Sequence, residues 1–417
     1  SVALRVPPWL RSAAAARMAL PNVVIVGAGV TGAVLAKLVK EMGYPVTVLE
    51  KSRGAGGRMA TTRFRGGAGG RADPIVGRAD LGAQYITTRS RPDDAVMGPI
   101  YDGLTGAGVL RPFDGEVAGP NPYGGAGAEV RHFSAPLGLQ SVAEHFLEAA
   151  GVEVRWDAYL RALDVTADGV GLDVVKATDG APAEALGGEG RTVVVLTQPV
   201  AQALGASKFG MSGNFLAGLA PETSEALSKV EYSSRFAVAY LFDAADFTWP
   251  YSWTAHYFDK GDVRYVSHDT GKRGATAEEP TVSVVVHSGV PMGIELKDES
   301  APFATAAARM QADLEAKLPE VPWAKAQAAG KAKAHKWLYS QVYKGVGAKR
   351  PSPDWVWGSG DNDFPGYVEL FSSAGALGLL AGDAMAPAGN FEGCVFSAHR
   401  AAEAIRAFAQ TGGKSDL

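Results

Sequence analysis

The 417-residue chain contains a single cysteine, Cys394. That excludes an intramolecular disulfide and any zinc site built mainly from thiolates, while leaving the redox compartment open. An excess of one charge is also missing: 40 basic residues stand against 44 acidic ones, for a formal net charge of −4. No block of like charge stands out, so a nucleic-acid partner, which demands a basic face, is not expected. Nor is there a long apolar run. The most apolar stretch, Val23 to Leu38, is too short for a bilayer and is broken by three glycines and Lys37, so no membrane partner is expected. Acids are absent ahead of Glu41, and Ser1 to Arg17 holds Arg5, Arg11 and Arg17 among alanines. This composition suits a transit remnant for a plastid or mitochondrion. The alternative is an added leader ahead of a start at Met18, which would leave a cytoplasmic protein.

What the chain has in plenty is glycine, 52 residues against an average usage of about 7%. Part of the excess falls in three stretches without hydrophobic periodicity, Arg65 to Gly77, Gly119 to Gly127 and Gly180 to Arg191. These read as loop insertions. The rest includes nucleotide-binding turns. Asn22 to Val26 is an apolar, β-branched strand, and Gly27-Ala28-Gly29-Val30-Thr31-Gly32 follows at once. Val30 to Met42 reads as a helix stopped by Gly43, and Pro45 to Glu50 as a second strand. This is a βαβ unit, the start of a doubly wound parallel sheet. The spacing predicts further strands at Val152 to Trp156 and Thr192 to Thr197. Strands at Phe236 to Phe242, Val263 to His268 and Val282 to His287 cluster without intervening helices. They predict an antiparallel sheet and a second domain of α+β type. Helices are expected at Ala301 to Leu318 and Phe391 to Gln410.

A Gly-x-Gly-x-x-Gly turn is weak alone, but here it follows a strand and opens a helix, the context it requires. Gly27 allows the tight turn, Gly29 lets backbone approach a pyrophosphate, and Gly32 lets helix and strand pack. Val30 and Thr31, at the helix start, offer N–H groups to the phosphates. Glu50, 18 residues after Gly32, ends the second strand where an acid binds ribose hydroxyls. Lys51 follows it, and then Gly56-Gly57-Arg58-Met59 brings a second backbone segment against the cofactor, with Arg58 available to phosphate charge. At the far end, Leu379 to Asp383 is a strand ending in Gly382 and Asp383. Asn390 is placed to cap the last helix, whose start at Phe391 would face an isoalloxazine ring. Motifs at both ends of one chain point to FAD.

These motifs are similar to those of the amine oxidase and protoporphyrinogen oxidase superfamily of flavoproteins. Several stretches resemble the renalase family in particular: Asp80-Leu81-Gly82-Ala83-Gln84-Tyr85-Ile86-Thr87, Leu196-Thr197-Gln198-Pro199-Val200, Tyr232-Ser233-Ser234-Arg235-Phe236-Ala237, Val286-His287-Ser288, Trp337 with Ser340-Gln341-Val342, and Asn390-Phe391-Glu392-Gly393-Cys394. The likeness runs from residue 23 to about 405, outside the leader and the insertions. It implies a Rossmann-type α/β domain of residues 18–90, 130–205 and 370–417. A discontinuous α+β substrate domain would span 91–129 and 206–369, in the p-hydroxybenzoate hydroxylase-like manner. It implies noncovalent FAD, held also by Ala83, Gln84, Val154 and Thr197, with Cys394 a small core residue. It further implies oxidation of the 2- and 6-dihydro isomers of NAD(P)H to NAD(P)+, with O2 reduced to H2O2. Tyr85, His287 and Trp337, with Trp253 and His268, are the candidates to line the substrate slot, and Gln84 and Arg235 their polar neighbours. Core packing is the competing reading for each aromatic, and a satisfied core histidine for His287. No Ser-His-Asp set and no metal cluster is evident. The competing functions are an amine oxidase or desaturase on the same fold, and a partner-binding protein that keeps FAD as a relic.

Overall fold

The computed structural model describes residues 20 to 411 apart from short stretches, the longest at 122–129 and 358–363. Residues 1–17, and with them the leader, lie outside the described residues, as do parts of the glycine-rich insertions. Strand β1 (Asn22–Val26), helix α1 (Val30–Glu41) and strand β2 (Val46–Glu50) form the parallel βαβ unit. A hairpin of β3 (Thr61–Arg65) and β4 (Ile75–Asp80) follows. Strands β5 (Glu153–Trp156) and β6 (Thr192–Leu196) return beside β2 and β1. Next come β7 (Glu231–Asp243), β8 (Ala255–Tyr257), β9 (Val263–His268), the short helix α2 (Asp269–Arg273) and β10 (Thr281–Ser288). Helices α3 (Phe303–Lys317) and α4 (Trp323–Ala328) lead into β11 (Ala332–Lys344). The described chain closes with β12 (Tyr367–Ser372), β13 (Ala376–Ala381) and helix α5 (Phe391–Thr411).

Two six-stranded sheets organise these elements. The first has the order β12-β13-β6-β1-β2-β5, parallel except for the edge pair β12–β13. Its central strands are continuous apolar runs because helices and loops bury them on both faces; Val193 to Leu196 and Leu379 to Ala381 are at most 1% exposed. The second sheet has the order β11-β7-β10-β9-β8, with Val117–Ala118 at its far edge, and its five labelled strands are antiparallel. Here the side-chain period of two decides everything. Phe236, Val238, Tyr240 and Phe242 face back onto Met310, Leu314 and Trp323 of α3 and α4. Ala237, Ala239 and Val285 face forward onto Ala79 and Leu81 beside the first sheet.

One expectation needs correction here. The stretch Arg65 to Gly77 is not all loop, because β4 begins at Ile75. A Cβ on Gly77 would lie 2.6 Å from both Leu241 Cδ1 and Thr281 Oγ1. Glycine there lets β4 lie directly against these side chains of the second sheet. No helix among the described residues is long and apolar enough to cross a membrane.

Candidate flavin site

The first sheet gathers the motif residues at the carboxyl ends of its parallel strands, where open α/β sheets bind ligands. Gly27 to Gly32 follow β1, Glu50 ends β2, Thr197 follows β6 and Gly382 follows β13. Val154 pairs with Val48 inside β5, two residues in from that edge. The three glycines of the turn divide the work. Gly27 has φ +112°, and a Cβ on it would meet Thr197 Oγ1 at 2.5 Å. A Cβ on Gly32 would lie 2.0 Å from Gly27 O. Both collisions are with the protein itself. A Cβ on Gly29, by contrast, meets nothing within 4 Å, and the same holds at Gly382. Protein packing does not account for glycine at Gly29, whereas close approach of a ligand does. No side chain caps the start of α1 at Gly29, so its first N–H groups are available to an anion. Gly56 N–H donates to Ala28 O at 2.9 Å, laying the second glycine segment alongside the first, and Gly57 approaches Gly29 closely.

The second sheet turns a set of rings toward this edge. Alternation along β7 to β11 places Tyr257, Tyr265, Ser267, His287, Arg235 and Trp337 on the front face. The turn Leu81–Gly82–Ala83 is wedged between the two sheets. Ala83 N–H donates to Arg58 O at 2.9 Å, and a Cβ on Gly82 would lie 1.9 Å from that oxygen and 3.1 Å from Trp337 Cζ2. Trp337 Nε1 and His287 Nε2 both donate to Leu81 O, at 2.8 and 3.0 Å. Donation from Nε2 fixes the tautomer, so Nδ1 is the accepting nitrogen of His287. Burial, then the charge of Arg235, pushes His287 down to about 3. Its ring is neutral at any ordinary pH.

A flavin-containing amine oxidoreductase family model matches residues 107–406, and a model of the NAD(P)-binding Rossmann-like domain matches residues 25–102. The chain belongs to the flavin-containing amine oxidoreductase family. Its cofactor is a flavin, and it is a flavin-dependent oxidoreductase. Among curated proteins it is similar to lysine-specific histone demethylase 1 homolog 1 of Arabidopsis thaliana, 43% identical over 67 residues. That segment is 16% of this chain and only 7% of the relative's length. Among solved structures, a cofactor-binding redesign of putrescine oxidase superposes with a TM-score of 0.55 at 13% identity. The superposition covers 94% of this chain and 99% of that one, and at such identity it speaks for the fold alone.

Within this flavin-dependent oxidoreductase, several expected site residues stand differently from the sequence reading. Trp253 and His268 belong to the back of the second sheet. Trp253 packs against the α3–α4 core, and His268 stacks on Trp249 at 5.5 Å. His268 follows Ser267, which faces the site, so strand alternation turns it away. Arg58 binds Asp383 through both terminal nitrogens, at 2.8 and 2.7 Å. Its charge is matched within the protein instead of being held for phosphate. Glu50 accepts from Ala28 N–H through Oε2 and from Ser52 N–H and Oγ through Oε1. It therefore braces the phosphate turn before any ribose is considered. Gln84 is buried with both ends of its amide engaged by protein, so it supports the site from behind. Lys51 lies over the Phe209 ring, with burial lowering its pKa.

Other expected residues lie along the same surfaces. Val30, Thr31 and Met59 are buried beside the turns. Tyr85 stacks on Phe113 at 5.5 Å, and its OH lies 2.9 Å from Tyr257 OH. Asn390 caps α5, its Oδ1 accepting from Gly393 N–H at 2.9 Å, and Phe391 packs near Tyr101. His145 and His399 sit in helices away from these rings. The sequence reading missed Tyr257, Tyr265, Ser267 and Lys272 as neighbours of the site. Alternation on β8 and β9 could have found the first three. Nothing in the sequence singles out Lys272.

Proposed function

We propose that the chain is a renalase-like oxidase that binds FAD noncovalently and converts 2- and 6-dihydro isomers of NAD(P)H to NAD(P)+, with O2 reduced to H2O2. The observation that carries this reading is the chemistry of the front face. The side chains around His287 are Tyr257, Tyr265, Ser267, Ala237, Arg235 and Trp337, with His335 beside Trp337, and none is a carboxylate. Two of the acids nearby are matched by cations, Asp383 by Arg58 and Asp269 by Lys272 and Arg273. An alkylammonium would meet no counter-ion among the described residues of this face. Nor would His287 deprotonate it, since a histidine pushed down to about 3 is too weak a base. A dihydropyridine is neutral, and loss of hydride alone makes it NAD(P)+. The protein need only stack the ring, orient it and keep water out.

The residues fit the cofactor. Backbone N–H groups beside Gly29 would take the pyrophosphate, Glu50 the ribose, and the Gly382 turn the flavin end. Bound there, FAD would accept the hydride and pass two electrons to O2, giving H2O2. Burial, then Asp383, pushes the Cys394 thiol up to about 12. It stays protonated and unsuited to attack on a flavin, which supports noncovalent binding.

Anaerobic mixing of the oxidised protein with each compound tests the proposal. The 2- and 6-dihydro isomers should bleach the flavin rapidly. Ordinary 4-dihydro NADH should bind yet react at least about a hundredfold more slowly, since the same held ring presents a different carbon to the flavin and a misplacement of even about 1 Å can cost that much. Oxidation of a small amine is the second reading, favoured by the family and by the putrescine oxidase neighbour. Rapid bleaching by an amine, with none by the dihydro isomers, would replace the first reading with the second.

A further inference from the structure

Lys272, on α2, has no exposed side-chain surface, and neither has Asp269, whose Oδ1 lies 2.6 Å from the lysine Nζ. A sealed ammonium is tolerated only when it is paired and its three donors are met. Here three acceptors surround it: Asp269, Asp80 Oδ2 at 3.5 Å and Gln84 Oε1 at 3.3 Å. Burial opposes the ionisation of Asp269, but Lys272 and Arg273 outweigh it and hold that carboxyl below its ordinary value.

The neighbouring Arg273 shows what a purely structural cation in this helix looks like. Its partners are Asp269, Glu279, Pro136 O and Arg78 O, and the hydrogen bonds of His287 and Trp337 to Leu81 O involve none of them. Lys272 instead reaches an amide. Gln84 Oε1 accepts from Lys272 and also from Ser267 Oγ at 3.0 Å. With two donors on the oxygen, the amide has one orientation, and its Nε2 donates to Asp80 O and to Gly82 O. Those carbonyls flank Leu81, whose own carbonyl receives His287 Nε2 and Trp337 Nε1.

We propose that Lys272 is a positioning residue: its sealed ammonium orients the Gln84 amide, and the amide holds the Leu81 carbonyl that aims His287 and Trp337. The inference rests on the front face being the substrate slot. Its competitor is that Lys272 merely balances Asp269 and Asp80.

Two readouts on the flavin-loaded full chain separate these. One is hydrogen exchange of the amides of residues 81–85, with β1 as internal control. The other is the rate of anaerobic flavin reduction by whichever compound reduces the wild type. Lys272→Met should speed exchange in 81–85 at least tenfold, leave β1 unchanged and slow reduction by about 10- to 100-fold. Added to Gln84→Leu it should change neither readout further, because both variants cut one route. The charge-balanced pair Asp80→Asn with Lys272→Met should recover thermal stability while keeping the fast exchange and slow reduction, and it serves alone if Lys272→Met does not fold. Recovery of all three in that pair would overturn the proposal, as would additive effects of Lys272→Met and Gln84→Leu. A wrong substrate assignment shows differently: no variant is bleached by the dihydro isomers, while the exchange pattern persists.

Discussion

His287 shows how one half-buried ring ties structure to solution behaviour. Its pKa lies at about 3 against an ordinary 6.5, because burial and then Arg235 disfavour the charged form. Between those values the unfolded chain binds a proton that the folded ring refuses. Stability contributed by the neutral ring is therefore present above pH 6.5 and is lost as pH falls toward about 3. His287→Gln removes this proton uptake. Its Tm should fall less steeply than the wild type between pH 6.5 and about 4, followed by circular dichroism. Parallel curves would mean that the ring is solvated and the front face open.

The phosphate turn shows an element using identical residues for different ends. Gly32 is needed by the element itself, since its Cβ would lie 2.0 Å from Gly27 O and drive α1 off β1. Gly29 has an ordinary φ of −76°, and its Cβ would meet no protein atom within 4 Å. Gly29→Val should therefore fold with nearly wild-type Tm and purify colourless, because the side chain occupies the pyrophosphate's place. Gly32→Val should lose both stability and flavin, with an overpacking cost of at least about 1–3 kcal/mol. A yellow Gly29→Val protein would move the phosphate site elsewhere. The same logic runs through Gly77, which serves the contact between β4 and the second sheet.

Across the whole molecule, the two ends of the chain are joined by Arg58 and Asp383, 325 residues apart. Asp383 is 5% exposed, so removing its partner strands a buried carboxylate. Arg58→Met should cost about 3 kcal/mol in urea melts. Asp383→Asn added to it should recover most of that loss, since no charge then remains unmatched. Failure of the second substitution to recover stability would show that the guanidinium matters through packing or the cofactor, not through the pair. The wedge at Leu81 to Ala83 joins the sheets as well, through Trp337 on one side and the Arg58 backbone on the other.

The amino-acid sequence by itself determined the elements that carry local signatures. The βαβ unit, its glycine turn, the apolar strands β6 and β13 and the antiparallel run of β7, β9 and β10 were all readable, because period and glycine spacing are properties of short segments. It also located the motif residues at both chain ends. The edge strand β11 was not read, since Ala332 to Lys344 is half exposed and rich in lysine, without clean alternation. Which face a ring occupies was decided only by the tertiary structure. Trp253 and His268 look as suitable as Trp337 in sequence, yet strand register turns His268 to the back, and the loop ahead of β8 packs Trp253 against the back core. Partnership was likewise invisible. Arg58 and Asp383, or Lys272 and Gln84, are 325 and 188 residues apart, and no local pattern reports a contact made by folding. A one-residue change of register exchanges the two faces of a strand, so the chemistry of the slot follows from how the sheets pair and pack.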